Sequence, residues 1–391
     1  MLTPFTFSTT PKVVFEDGAA ARLGEVAGGL LGERVLFVTD PGLRKLGLPD
    51  PAVASLEKAG AMVVMFDEIE ADPSRTTLEK AVELAASEGV TGVCALGGGS
   101  SLDVAKLVAL LVGSGEDLDE AWGVGNAKGP RLPLVLVPTT AGTGSEVTPV
   151  SIISLGGDQK MGVSSPIILP DIAVLDAALT MGLPPAITAA TGVDAMVHAI
   201  EAYASKSPNN NPVSRALAVE ALKLLGANIE TAVFDGKNRE ARGAMLLGSM
   251  LAGQAFANSP VAAVHALAYP IGGKFHVPHG LSNALVLPHV LKFNVGDPTA
   301  GAHEQYAALA PHVFPDLGNE GGSQATCQLF IQRLAELSSK LGLETQLRQV
   351  GIGEADLPGM AADAMKQTRL LVNNPREVSE ADALSIYQAA W

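Results

Sequence analysis

The feature that most limits the fold of this chain is a change of pattern near its middle. Up to about residue 180, short runs rich in β-branched residues alternate with stretches whose apolar residues recur at helical spacing. The runs are 35–39 (VLFVT), 62–66 (MVVMF), 91–96 (TGVCAL) and 134–138 (LVLVP), and the clearest helical stretch is 72–89. Strand, helix and strand in succession predict a parallel sheet covered by helices.

After residues 181–186 (MGLPPA) the strand pattern ends, and the rest of the chain is helix-like and rich in Ala and Leu. The helical stretches are 214–229, 241–256 and 326–342, followed by 383–391, which Ser379 and Asp382 precede at capping-box spacing. A chain of 391 residues is long enough for two cores. We therefore expect an α/β, Rossmann-like domain over residues 1–183 and an all-helical domain over residues 184–391.

A glycine-rich turn follows the strand predicted at 91–96. Residues 97–101 (GGGSS) lead into a helix-like stretch, so the backbone can approach an anion and the helix N-terminus offers free N–H groups. Taken alone, this segment is equally well explained as a tight turn. The next strand ends in a second loop of hydroxyl residues and glycines, 138–146 (PTTAGTGSE). Two such loops at one sheet edge favour a ligand crevice over two coincidental turns.

Asp40 directly follows the strand predicted at 35–39. A dinucleotide-binding sheet can place an acid there to accept hydrogen bonds from the adenosine ribose. A carboxylate at that place repels the extra phosphate of NADP, so we expect NAD as the cofactor. The alternative is that Asp40, followed by Pro41 and Gly42, is simply the acid of a turn.

Four residues in two short segments indicate a divalent-metal site. Asp194 and His198 are four residues apart, so a helix presents both side chains from one face. His265 and His279 supply two further imidazoles. One carboxylate and three imidazoles suit Fe(II) or Zn(II), whereas calcium and magnesium prefer oxygen ligands.

The second of these segments leaves a choice open. Residues 265–280 are interrupted by glycines and prolines, so we expect the stretch to fold back and present its imidazoles together. His276 lies three residues before His279 and competes with it as a ligand. Taken singly, each proposed ligand is also explained as a local helix pair or a hydrogen-bonded core histidine.

Charge and composition argue against some classes of binding partner and some cellular locations. A net charge of −15 argues against nucleic acid and anionic membranes as partners. No uncharged apolar run reaches the roughly 18 to 20 residues of a membrane span, and the start lacks the features of a secretory signal. Cys94 and Cys327 are the only cysteines, so we expect no disulfide framework and a cytoplasmic protein.

The motifs resemble those of iron-containing, group III alcohol dehydrogenases, which are related in fold to dehydroquinate synthase and glycerol dehydrogenase. The similarity runs almost end to end. Its most specific pieces are 97–103 (GGGSSLD), 138–146, 183–201 (LPPAITAATGVDAMVHAIE) and 265–280 (HALAYPIGGKFHVPHG). It implies a dinucleotide-binding domain, a helical domain of the dehydroquinate synthase-like type, and a metal held between the two. The ligands by position are Asp194, His198, His265 and His279, which selects His279 over His276.

The resemblance also implies which positions contact the cofactor. They are Asp40, Gly97, Gly98, Gly99, Ser100, Asp103, Thr139, Thr140, Thr143, Ser145 and Lys160, with Lys106 near the pyrophosphate. Tyr269, four residues after His265, replaces a histidine that in some relatives is proposed to relay the alcohol proton. Tyr269, His276 and water are therefore the candidates for the relay.

These observations predict an enzyme that reversibly transfers hydride between NAD(H) and a small primary or secondary alcohol, or its aldehyde or ketone partner. The resemblance and the apolar helical half further indicate a homodimer or a larger homo-oligomer. A maleylacetate reductase or hydroxy-acid dehydrogenase is the alternative within the dehydrogenases. A dehydroquinate synthase-type lyase is less favoured, because it needs several cationic side chains and the metal segments contain only Lys274.

Overall fold

The computed structural model of the chain describes residues 4–156, 159–318 and 321–391. They form two compact units, each described by itself below. The α/β unit comprises residues 8–140 and 144–181, and the helical unit comprises the residues up to Phe7, residues 141–143 and residues 182–391. The sequence-based division at residue 183 stays a prediction.

The α/β unit contains a parallel sheet of six described strands and a small three-stranded sheet. Its strands are β1 (Lys12–Phe15), β2 (Arg34–Val38), β3 (Met62–Phe66), β4 (Gly92–Gly97), β5 (Gly123–Val124), β6 (Leu134–Pro138), β7 (Val150–Gly156), β8 (Gln159–Ser164) and β9 (Ile172–Leu175). The order in the larger sheet is β1-β9-β6-β4-β2-β3, and every pair in it is parallel. In the smaller sheet, β7 and β8 pair antiparallel.

Helices cover both faces of the larger sheet. They include α1 (Leu23–Leu31), α2 (Pro41–Lys45), α3 (Asp50–Lys58), α4 (Arg75–Ser87), α5 (Gly99–Ser114) and α6 (Leu118–Ala121). Along β4, Val93 and Ala95 pack in one buried cluster with α4 and α5, while Cys94 and Leu96 pack in another with α1 and α3. Because both faces are buried, the strand is a continuous apolar run, as is usual in parallel sheets.

The four strands predicted from β-branched runs are β2, β3, β4 and β6, within one residue at each end. The helix expected at 72–89 is α4, and Ser74 caps it by accepting a hydrogen bond from the Thr77 N–H. Strands β1, β5, β7, β8 and β9 were not predicted. Strand β1 is a short edge strand with exposed ends, and β7 and β8 are half exposed, so none of these three has a long buried apolar run. Strand β9 is buried but has only four residues.

The helical unit has helices throughout. They are α7 (Pro185–Ala204), α8 (Pro212–Phe234), α9 (Arg239–Asn258), α10 (Ala263–Phe275), α11 (His279–Val295), α12 (Ala302–Val313), α13 (Gly322–Lys340), α14 (Leu357–Ala364), α15 (Thr368–Leu371) and α16 (Glu380–Ala390). The predicted capping box of Ser379 and Asp382 begins α16. Within the described ranges, every helix is too short or too polar to cross a lipid bilayer.

Helix α7 lies at the centre of the helical unit and is buried along most of its length. Glycines allow its neighbours to approach closely. A Cβ atom on Gly192 would lie 2.8 Å from Met245 Cε of α9 and 2.9 Å from Ile229 Cδ1 of α8. This packing fixes α7 as the rigid element from which side chains project.

A buried polar network fastens α5 of the α/β unit to the chain that follows β6. The ammonium group of Lys106 has no exposed surface and donates to Ser145 Oγ (2.8 Å) and to the Val150 carbonyl (2.7 Å). The Asp103 carboxylate accepts from the Ser145 hydroxyl (2.6 Å) and from the Ile152 N–H (2.9 Å). Burial lowers the pKa of Lys106, and the neighbouring carboxylates oppose this change.

Glu146 lies next to Ser145 in sequence and is 1% exposed. Neither of its carboxylate oxygens has a hydrogen-bond partner among the described residues. Burial raises the pKa of Glu146 to about 7, although the charge of Lys106 acts in the opposite direction. The folded protein therefore favours the neutral carboxylic acid at this position.

The pH dependence of stability tests this description of Glu146. The pKa of this group is higher in the folded than in the unfolded chain, so its stabilising effect is complete below about pH 4.5 and is lost as pH rises through about 7. Glu146→Gln removes this loss. At pH 8 the variant should be more stable than the parent by about 1–3 kcal/mol, and near about pH 4 the advantage should disappear.

Thermal unfolding at the two pH values measures the difference. The exposed Glu57→Gln variant is the control, and it should follow the parent at both. A Glu146→Gln effect that is independent of pH would contradict the raised pKa.

Candidate functional site

Helix α7 presents a row of polar side chains on one buried face. Asp194, His198 and Glu201 occupy positions i, i+4 and i+7, and they are 2%, 5% and 5% exposed. That spacing places all three side chains on the same stripe of the helix. The sequence pattern identified the first two, while Glu201 was assigned no role.

The two remaining imidazoles come from neighbouring helices. His265 lies in the first turn of α10, and His279 is the first residue of α11. The stretch between them is less broken than expected, because α10 continues through Pro270 and Gly272 as far as Phe275. Only residues 276–278 separate the helices. The buried apolar face of α10 outweighs the weak helix propensity of these residues.

The structure brings the four predicted metal ligands together. One donor atom from each of Asp194, His198, His265 and His279, named here the Asp/His cluster, lies within 4.8 Å of the others. His198 and His265 stack with ring centroids 4.7 Å apart, and His265 and His279 lie 5.4 Å apart. His276 is exposed and ends α10 in a left-handed conformation, and it is not part of this cluster.

The ring nitrogens are held in defined orientations. The Nδ1–H of His265 donates to Glu201 Oε2 at 2.7 Å, since a carboxylate only accepts. His198 Nδ1 lies 3.2 Å from the Gly142 carbonyl and donates to it in the same way. In each ring Nδ1 is the atom held by this hydrogen bond, so Nε2 is the atom that can face a metal ion.

The side-chain amide of Asn283, on α11, lies within hydrogen-bond distance of three of the four residues of the cluster. Its amide Nδ2 lies 2.6 Å from Asp194 Oδ1, 3.2 Å from His265 Nε2 and 3.3 Å from His279 Nε2. The amide has only two N–H hydrogens and cannot donate to all three atoms at once, but the three ligand atoms surround one small region. The amide oxygen of Asn283 is buried and has no partner among the described residues. This donor set and its convergence fit a borderline divalent cation.

The electrostatics of the cluster favour a cation. Burial alone would raise the pKa of Asp194, but the imidazoles of His198, His279 and His265 and the Asn283 amide hold it below its ordinary value. Burial lowers the pKa of His198 to about 3, so this imidazole is neutral at pH 7. The buried carboxylate of Asp194 and the neutral imidazole of His198 together leave this part of the cluster anionic.

Access to the cluster is from one side. The His279 side chain is 43% exposed, whereas the side chains of Asp194 and His265 are 3% and 5% exposed. Tyr269 lies on the His279 side, with ring centroids 6.3 Å apart. Arg369 Nη2 lies 3.4 Å from the Tyr269 hydroxyl. A substrate oxygen would therefore reach the cluster past His279, close to Tyr269.

Two glycines allow close contacts with α7 beside the cluster. A Cβ atom on Gly280 would lie 2.3 Å from the Ala190 carbonyl oxygen, so α11 approaches α7 only because this side chain is absent. A Cβ atom on Gly142 would lie 2.6 Å from Thr191 Cβ. Both glycines directly adjoin the cluster, next to His279 and opposite His198.

The predicted phosphate-binding turn lies at the carboxyl edge of the parallel sheet. Strand β4 ends at Gly97, and Gly98 is the N-cap of α5 with no side chain bonded to the helix N–H groups. The Thr139 N–H donates to the Gly97 carbonyl at 3.0 Å, so the loop after β6 adjoins this turn. A Cβ atom on Gly98 would lie 3.7 Å from Thr140 Cγ2. Helix N–H groups without partners in the helix, together with glycines that let an anion approach the backbone, suit a pyrophosphate.

Asp40 follows β2 at the same edge of the sheet, because β2 pairs parallel with β4. Its Oδ1 accepts a hydrogen bond from the Leu43 N–H at 2.9 Å and so caps α2. The turn role weighed from sequence is therefore present. This capping bond uses only Oδ1 of Asp40, so Oδ2 can still accept a hydrogen bond from a ribose hydroxyl.

Other predicted cofactor residues have partners within their own unit. Asp103 and Ser145 belong to the network around Lys106. Lys160 of β8 forms an ion pair with Asp72 at 2.6 Å. Thr143 belongs to the helical unit, within the segment 141–143. The structure thus brings Gly97, Gly98, Gly99, Ser100, Thr139, Thr140 and Asp40 to one sheet edge, while the roles of the others towards a cofactor stay predictions.

Two family models match nearly all of the chain. The model described as iron-containing alcohol dehydrogenase matches residues 10–177. The model described as the C-terminal part of the Fe-containing alcohol dehydrogenase family matches residues 188–391. Each half of the chain is therefore similar to the corresponding half of that family.

Known proteins and structures agree with these matches. Long-chain-alcohol dehydrogenase 1 of Geobacillus thermodenitrificans is 39% identical over 365 residues, which cover 92% of this chain and 90% of that protein. A solved 1,3-propanediol oxidoreductase has a TM-score of 0.94 at 35% identity, covering 99% of this chain and 100% of that one. A sulfoacetaldehyde reductase from Bifidobacterium kashiwanohense, solved in complex with NAD+, has a TM-score of 0.86 at 26% identity, covering 99% and 98%. The predicted fold class is confirmed.

The close contact at Gly280 gives a prediction. In Gly280→Ala the added methyl group would collide with backbone atoms of α7, so we expect α11 to move and to carry His279 away from Asp194. The free energy of unfolding should fall by about 1–3 kcal/mol. Affinity for a divalent cation should fall at least about tenfold, as for a misplaced ligand.

Gly272→Ala is the matched control, because a Cβ atom there would meet its nearest neighbour at 3.5 Å, an ordinary contact. Thermal unfolding and titration with Zn(II) compare the two variants. Equal Zn(II) affinity in both would show that the contact at Gly280 does not position His279.

Proposed function

This chain belongs to the iron-containing alcohol dehydrogenase family, and we propose that its Asp/His cluster is the site that holds the metal. The family, the enzyme class and the metal-dependent alcohol dehydrogenase activity predicted from the sequence are confirmed. The comparisons lend no support to a maleylacetate reductase, a hydroxy-acid dehydrogenase or a dehydroquinate synthase-type lyase. Fe(II) is the proposed metal, and Zn(II) suits the same ligands.

One observation carries this assignment. Ligand atoms of an acid and two imidazoles surround the single amide group of Asn283, and one ligand atom from each of the four residues lies within 4.8 Å of the others. Three of these ligands are buried, so bulk water cannot form hydrogen bonds with them. A cation bound there would offset the buried charge of Asp194.

The residues of the cluster serve the reaction in distinct ways. A bound Fe(II) supplies a Lewis acid that polarises an alcohol or carbonyl oxygen. The exposed side of His279 admits the substrate, while the buried ligands exclude water from the opposite side. Tyr269 lies beside the entrance with its hydroxyl near Arg369, which makes this hydroxyl a candidate to relay the alcohol proton: its oxygen would take up that proton while its own phenolic proton passes to water. His276 and water remain the alternative carriers.

NAD is the proposed hydride acceptor, and the α/β unit supplies its site. The turn of Gly97, Gly98, Gly99 and Ser100 offers backbone N–H groups to the pyrophosphate, with Thr139 and Thr140 in the adjoining loop. Asp40 would accept hydrogen bonds from the ribose. The NAD+ complex of the sulfoacetaldehyde reductase supports this choice of cofactor.

The substrate is proposed to be a small primary or secondary alcohol, oxidised reversibly to its aldehyde or ketone. The named relatives act on alcohols or aldehydes of different chain length and polarity. We also propose a cytoplasmic homodimer or larger homo-oligomer with domains at residues 1–183 and 184–391. Two buried free thiols, Cys94 and Cys327, support a reducing location.

Removal of the acid ligand tests the metal site. Asp194→Ala should lose bound iron and lower NADH formation by more than about 100-fold, a larger effect than that of an outer-shell partner. Metal analysis of the purified protein and steady-state NADH formation with a panel of short alcohols measure both. Asp235→Ala, an exposed acid of the same unit, should behave as the parent does. Retained iron together with unchanged activity in Asp194→Ala would contradict the assignment.

Cofactor choice tests the role of Asp40. Asp40→Ser keeps an acceptor for the Leu43 N–H but removes the negative charge, so helix α2 stays capped. We expect kcat/KM for NADP to rise on the order of tenfold relative to that for NAD, about 1.4 kcal/mol. Asp67→Ser, which removes the acid that follows β3, is the control. An unchanged NADP to NAD ratio in Asp40→Ser would show that Asp40 serves only as a cap.

A further inference from the structure

We propose that Glu201 is a positioning residue that sets the cation affinity of the Asp/His cluster by acting through His265. This inference rests on the proposed metal site and goes beyond it, because Glu201 is not one of the four ligands. It assigns a function to a buried carboxylate that the reaction itself does not use.

Both carboxylate oxygens of Glu201 are occupied. Oε2 accepts from His265 Nδ1–H at 2.7 Å, and Oε1 accepts from the Val264 backbone N–H at 2.7 Å. The residue is 5% exposed, so water does not compete strongly for these bonds. Two adjacent donors on α10 thus hold one acid of α7 in a single orientation.

The contact with Val264 places the acid at the start of a helix. Helix α10 begins at Ala263, and its N-cap residue, Ala262, makes no side-chain capping bond. The first N–H groups of a helix lack partners within it, and a nearby negative charge is stabilising. Glu201 therefore supplies from α7 the cap that α10 lacks in its own sequence.

The contact with His265 determines which nitrogen can bind a cation. A carboxylate accepts and does not donate, so the proton of the imidazole stays on Nδ1. Nε2 then carries a lone pair, and it is this atom that lies 3.9 Å from Asp194 Oδ1 within the cluster.

The negative charge of Glu201 also favours a cation at the Asp/His cluster. Asp194 and Glu201 are two buried acids on one face of α7, one in contact with the cation site and one behind its imidazole ligand. Together they balance the two positive charges of a divalent ion. A purely structural role as a helix cap would stabilise α10 without changing the affinity for the ion.

Glu201→Gln separates the two roles. The variant is nearly isosteric and retains one oxygen acceptor, but its amide N–H2 is a donor. If the amide donates to His265 Nδ1, the imidazole proton moves to Nε2 and blocks the ligand atom. We expect the affinity of the metal-stripped full-length protein for Co(II) to fall about 10- to 100-fold, with a changed visible absorption spectrum of the bound Co(II).

Two further variants keep the test decisive. Glu201→Asp retains the charge on a shorter side chain and should bind Co(II) with an affinity between those of the parent and Glu201→Gln. Asn238→Ala removes the side-chain cap of α9 in the same unit and should lower the unfolding temperature without changing Co(II) affinity.

The outcomes are distinct. Parental Co(II) affinity and spectrum in Glu201→Gln, with only a lowered unfolding temperature like that of Asn238→Ala, would overturn the proposal and leave the metal site intact. Absence of Co(II) binding by the parent, or equal binding by Asp194→Ala, would overturn the proposed metal site itself. Weakened binding by Glu201→Gln with partial recovery in Glu201→Asp supports the proposal.

Discussion

The central constraint in this structure is that an ionised acid is buried among imidazoles whose lone pairs point at one region. A buried carboxylate is costly unless positive charge or hydrogen-bond donors surround it. Asn283 provides one donor to Asp194, and the three imidazoles hold its pKa low. The packing of α7, α10 and α11, with glycines at the tightest contacts, maintains this arrangement. A cation at the cluster completes the compensation of charge.

The immediate surroundings of the cluster explain how its imidazoles become directed ligands. Glu201 and the Gly142 carbonyl each bind the Nδ1 atom of one ring, so the opposite nitrogen is available. Burial holds His198 neutral, and the remaining ring, that of His279, lies at the exposed side. The same design therefore produces both a fixed ligand set and one open direction for a substrate.

Much of this organisation follows from local sequence. Helical spacing identified Asp194 and His198 as a pair. Apolar runs located the inner strands β2, β4 and β6, which are buried on both faces, and the edge strand β3. The half-exposed β7 and β8 strands lack such runs. Glu201 and Asn283 could not be assigned in advance, because their partners lie 64 and 89 residues away and depend on helix packing. For the same reason the sequence did not reveal that Asp103 and Ser145 bond to each other.

The account is tested most directly by locating the metal in crystals of the protein loaded with Fe(II) and measured at the iron absorption edge. We expect one anomalous peak, at a position about 2.0–2.3 Å from one atom each of Asp194, His198, His265 and His279. A peak at another group of residues, such as one including His276 in place of His279, would contradict the account. Full iron loading without a peak at the Asp/His cluster would contradict it as well.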